Sequence, residues 1–144
     1  MHSIKVKGKT YSFCWGTLAF MNACDKLGVT LNELDLAIWA GEQKAWWTLA
    51  YQALVVNDMT ANNGANIVNG ELDGFNFAQF VNWLDNASDK EGETISKSYM
   101  DSKYLGKTMQ EHYDNMLAKL NIDIDEETKE KSVPAKKKNA RLPK

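Results

Sequence analysis

Little in this chain is of the kind that usually carries chemistry. Its 144 residues include two cysteines, two histidines and two prolines. Cys14 and Cys24 stand ten apart with no C-x-x-C pair, and no charged-then-apolar leader opens the sequence. Such thiols read as reduced cysteines in a cytosol. No apolar run approaches the roughly 18 residues that a membrane span requires. The expectation is a cytoplasmic protein, neither secreted nor membrane-spanning. With His2 beside the initiator and His112 far along the chain, no second histidine is at hand to serve as a base for a cysteine or serine nucleophile. There is no phosphate-binding G-x-x-x-x-G-K-[ST] loop and no G-x-G-x-x-G turn. The run Asp123-Ile124-Asp125-Glu126-Glu127 resembles the start of a calcium loop, but Thr128 stands where the sharp turn needs glycine. No enzyme chemistry, cofactor or metal is predicted. One alternative stays open, a site built around His112, which otherwise reads as a polar residue at the edge of an apolar stripe.

What is abundant is aromatic surface: five Trp, five Tyr and five Phe, beside 44% hydrophobic and 25% charged residues. Aromatic side chains supply either core or interface. Charge is divided unevenly. Residues 1–131 hold 12 basic and 19 acidic residues, a net of −7, whereas residues 132–144 hold five basic residues and no acid. A body of that sign repels phosphates, so nucleic acid would be met only through the tail. The tail run Lys136-Lys137-Lys138 lacks interleaved aromatics for base stacking. It reads as a solvated terminus or as a contact for an acidic surface.

The patterning predicts a mainly α protein. A β-hairpin over 3–13, turning at Gly8-Lys9, would bury Ile4, Val6, Tyr11 and Phe13. Such a hairpin is marginal alone, so it must pack on helices. About five helices are expected, over about 16–27, 31–41, 43–57, 76–87 and 94–120, forming one compact bundle within residues 1–121. A charged, flexible tail would follow over 122–144. Gly28 is placed to end the first helix in the left-handed conformation. Thr30 and Glu33 make a capping box, bracketed by Val29 and Leu34, and the helix it starts would bury Leu31, Leu34 and Ile38. Asn69-Gly70 predicts a small hairpin in the stretch 57–74. Asn76 is the expected cap of the next helix, with Phe75 and Phe80 bracketing it. In the last helix Leu105, Met109, Tyr113, Met116, Leu117 and Leu120 would share a face.

The segment Gln43 to Val56 is apolar almost all round, which places it in a bundle centre or between a core and a partner. Leu36, Trp39, Trp46, Trp47 and Tyr51 lie off the stripes that should build the core. They are the candidate partner-binding residues, weighed against the plainer reading of each as a core aromatic.

Element order adds a resemblance. Gly8-Lys9-Thr10-Tyr11-Ser12-Phe13-Cys14-Trp15-Gly16 fits the pattern G-K-x-Y-x-F-x-x-G, and Ile38-Trp39-Ala40-Gly41 closes an apolar helix. Over about residues 4–60 the chain resembles the tail assembly chaperones of long-tailed bacteriophages. The resemblance implies a protein of the host bacterial cytoplasm that binds and solubilises the tape measure protein. It also implies recruitment of major tail tube subunits, with self-association open. Members often have a longer product made by frameshifting near the end of the short frame, where Lys136-Lys137-Lys138 lies here. The competing reading is a non-phage adaptor or regulatory protein that binds a partner helix through an aromatic surface.

Overall fold

The computed structural model describes residues 2–131, with side chains through Leu120. The elements are β1 (Ser3–Val6), β2 (Lys9–Ser12), α1 (Thr17–Leu27), α2 (Leu31–Trp39), α3 (Gln43–Ala61), β3 (Ile67–Val68), β4 (Glu71–Leu72), α4 (Phe77–Asp85), α5 (Asp89–Asp101), β5 (Lys103–Tyr104), β6 (Lys107–Thr108) and α6 (Met109–Lys131). The strands form three separate antiparallel pairs. The chain is mainly helical with an N-terminal hairpin. It divides into two compact units, one ending at Met109 and the other beginning at Gln110.

Local chemistry explains most boundaries. Gly28 closes α1 at φ 70° and ψ 37°. The N–H groups of Gly28 and Val29 both donate to the Cys24 carbonyl, at 2.8 and 3.2 Å, which satisfies a carbonyl the helix leaves open. Two residues later Thr30 starts α2. Its hydroxyl accepts from the Glu33 N–H at 3.2 Å, while the Glu33 carboxylate accepts from the Thr30 N–H at 2.8 Å. Asn76 with Gln79 and Ser88 with Glu91 repeat this reciprocal box at the starts of α4 and α5. Phe75 and Phe80 meet edge to face across the α4 cap, their centroids 6.0 Å apart.

Three sequence expectations are corrected. The first hairpin turns at Lys7-Gly8, not Gly8-Lys9, with φ 51° and 82°. This register pairs Ile4 with Tyr11 and Val6 with Lys9. The shift moves the pairing by two places, so the apolar residues keep their common face. The helix expected over 94–120 is two helices. Ser88 starts α5 ahead of the charged stretch, and Leu105-Gly106, at φ 53° and 87°, turns a hairpin where the helix would have continued. Leu105, placed on the apolar stripe from sequence, is an exposed turn residue instead. Leu31 is likewise exposed, not buried, because α2 seats only Leu34 fully in the core. The Asn69-Gly70 hairpin forms as expected, pairing Ile67–Val68 with Glu71–Leu72.

The core of the first unit is organised around α3, which packs against α1, α2, α4, β2 and β3. Leu49, Ala50, Ala53, Leu54, Val55 and Val56 are buried along it. That is why its sequence is apolar on most sides: neighbours cover nearly all of its circumference. Each large apolar side chain so enclosed contributes about 1.5–3 kcal/mol. The backbone N–H of Cys14 donates to the Ala53 carbonyl at 2.9 Å, fastening the exit of the hairpin to α3. In the second unit α6 runs to Lys131, past Asn121 where the apolar periodicity stops. Lys136, Lys137 and Lys138 lie outside the described residues.

Candidate partner-binding surface

A run of aromatic rings crosses the first unit. Phe13 stacks on Trp15 at 5.3 Å, and Trp15 stacks on Trp46 at 5.4 Å, with Tyr99 edge-on to both tryptophans at 5.0 Å. Trp46 leans on Trp47 at 5.9 Å, and Trp47 meets the edge of Phe80 at 6.2 Å. Pairs of this kind contribute about 0.5–1.5 kcal/mol beyond their buried area. The Trp15 indole N–H donates to the Ser98 hydroxyl at 2.9 Å inside the core, binding the N-terminal segment to α5. Burial raises the pKa of Tyr99, with Asp35 and Tyr104 adding to the effect.

Burial separates the five residues singled out from sequence. Tyr51 is 1% exposed and belongs to the core, which corrects its assignment to a partner surface. Its hydroxyl donates to the Phe75 carbonyl at 2.8 Å and accepts from the Leu72 N–H at 2.9 Å. Trp46 and Trp47 are half-buried and packed against the core, so each offers only part of its ring to solvent. Trp39 is half-buried on α2, its indole N–H donating to Asp35 at 3.0 Å. Leu36 alone of the five stands clear, 70% exposed.

Sequence reasoning missed other exposed apolar side chains of α1 and α2. On α1, Leu18 and Met21 are both exposed, on the side away from the buried Ala19, Phe20, Ala23 and Cys24. On α2, Leu31 joins Leu36. The two helices pack together across the short Gly28–Thr30 link. The available signal was the spacing of Leu18 and Met21, three apart and off the stripe of α1. A groove of about 650 Å³ opens between α1, α3 and β3. Val55 and Met59 of α3 and Ile67 of β3 supply its apolar lining, and Asn22, Asp25 and Lys26 of α1 its polar rim. Methionine at such a place adapts to varied apolar shapes.

Cys24 is buried, and burial with the nearby Asp25 and Glu33 charges raises its pKa, which keeps the thiol protonated. His112 is half-buried on α6. Among the described residues no group of three or more His, Cys, Asp or Glu side chains is placed to hold a metal ion. Also among them, no helix is long and apolar enough to cross a membrane. No protein-family model, curated protein or solved structure matches the chain.

Proposed function

We propose that this protein is a tail assembly chaperone of a long-tailed bacteriophage, a binding protein and not an enzyme. In the host cytoplasm it holds the tape measure protein in solution until the tail tube grows along it, and it helps to recruit tube subunits. The observation that carries the reading is the display of Leu18, Met21, Leu31 and Leu36 on the paired helices α1 and α2. A long helical partner with an apolar face aggregates in water unless that face is covered, and exposed leucine and methionine on a helix pair cover it by ordinary apolar burial. All four residues fall within the 4–60 stretch that carries the sequence resemblance. Both helices pack on each other and on α3, so little ordering is required on binding.

The test is co-expression with the long helical protein encoded next to this chain. The reading expects that protein to stay soluble and to co-purify with this one. Equal precipitation with and without this chain would remove the chaperone reading and favour the adaptor.

A further inference from the structure

A second cleft, of about 710 Å³, lies between the β1–β2 hairpin and α4, and its chemistry differs from that of the α1–α2 surface. Lys5, Lys7 and Lys9 of the hairpin are among its lining residues, and all three are exposed. None has a carboxylate within salt-bridge distance among the described residues. The polar side of α4 contributes Asn76, Gln79 and Asn82. The capping box consumes acceptors there. Asn76 Oδ1 accepts from the Gln79 N–H at 2.9 Å, and Gln79 Oε1 accepts from the Asn76 N–H at 2.7 Å. Because backbone N–H groups fix both oxygens inward, both side-chain NH₂ groups are left as donors. The cleft thus offers ammonium and amide donors, with Asp73 as its one lining carboxylate. Outside the lining, Asp58 is charged and near enough to Lys9 to feel it, while it accepts from Asn62 and Asn66, and Glu71 accepts from the Phe77 N–H. Half-buried Trp83 adds apolar surface.

We infer that this cleft binds a short acidic segment of a polypeptide, carboxylates on the lysines and backbone carbonyls on the α4 amides. Charge complementarity selects the occupant. With three lysines against one lining carboxylate the cleft favours an acceptor-rich ligand, and the −7 body around it penalises a long polyanion more than a short peptide that stays inside. The inference stands independently of the chaperone reading, since it concerns a different face and a polar ligand.

Fluorescence anisotropy of a labelled oligoglutamate peptide with a central leucine tests it on the full chain, with oligothymidylate as the competing polyanion. Lys5→Gln combined with Lys7→Asn removes two charges, and asparagine tolerates the left-handed backbone at position 7. The expected result is saturable binding, about tenfold weaker in that variant. Asn82→Asp, on α4, weakens it as well and keeps the test open should the hairpin variant melt early. Oligothymidylate should bind more weakly than the peptide. Binding that persists in both variants belongs to the Lys136–Lys138 run and overturns the proposal. So does an absence of saturable binding, or oligothymidylate binding as tightly as the peptide.

Discussion

Tyr51 and Phe75 are joined by a buried hydrogen bond of 2.8 Å, the phenol of α3 donating to the carbonyl that precedes the α4 cap. The same oxygen accepts from the Leu72 N–H at 2.9 Å, so one side chain holds both ends of a tight bend. Tyr51→Phe keeps the ring but leaves a buried N–H and a buried carbonyl without this partner. The expected cost is about 1–3 kcal/mol. Thermal unfolding should show it as a drop in Tm, with α4 the first element to lose hydrogen-exchange protection.

The same hydroxyl makes stability fall at alkaline pH. Burial pushes the Tyr51 pKa up to about 12, helped by Glu71 and Tyr11, while the Leu72 N–H opposes the shift. A raised pKa means that the folded state favours the protonated phenol. The contribution is complete below the unfolded value of 10.0 and is lost as pH rises through about 12. Urea unfolding between those values should therefore steepen with pH in the wild type and less so in Tyr51→Phe. Equal slopes would mean that the phenol is not held protonated by the fold.

Asp58 makes the opposite prediction at acid pH. Burial disfavours its charge, but the side-chain amides of Asn66 and Asn62 and the Asn66 backbone N–H outweigh burial, with Lys9 adding, and lower its pKa. Its oxygens accept from Asn62 Nδ2 at 2.8 Å, from Asn66 Nδ2 at 2.8 Å and from the Asn66 N–H at 3.0 Å. The contribution is complete above the unfolded value of 3.8 and is lost as pH falls from there through the lower folded value. Asp58→Asn should destabilise the protein by about 1.5–3 kcal/mol at neutral pH and flatten this acid dependence. Chemical denaturation at pH 7 and pH 3 measures both effects.

Thiol chemistry should separate the two cysteines. Cys24 is buried in α1, and its thiol is held protonated by burial and by the Asp25 and Glu33 charges. Alkylation of the native protein followed by mass spectrometry should label Cys24 many times more slowly than half-buried Cys14. Equal rates would mean that α1 opens readily.

The parts of the fold legible in the sequence are those decided within a few residues. The Thr30–Glu33 box, the Gly28 cap, the Asn69-Gly70 turn and the Asn76 cap each need only neighbours to form. The break after Asp101 was also written locally. Gly106-Lys107-Thr108 repeats the Gly8-Lys9-Thr10 of the first hairpin, but the apolar spacing of the residues around it imitates a helix. What the pattern does not settle is which side of α3 faces out. Tyr51 and Trp47 sit four apart on an almost wholly apolar helix, and only the arrival of α4, more than twenty residues later, decides that Tyr51 is enclosed. Leu36 was found because it lies clear of a narrow stripe. Leu18 and Met21 were missed because the other face of α1 satisfies the helical pattern by itself.

The central claim is that the apolar side chains of α1 and α2 hold a helical partner. Leu31→Lys combined with Leu36→Lys tests it most directly, since both positions are exposed and the change should leave Tm nearly unaltered. The measurement is the soluble fraction of the co-expressed tape measure protein with wild type and with this variant. The account predicts that the wild type keeps it in solution and that the variant, though folded, lets it precipitate. A folded variant that protects the partner as well as the wild type does would contradict the account.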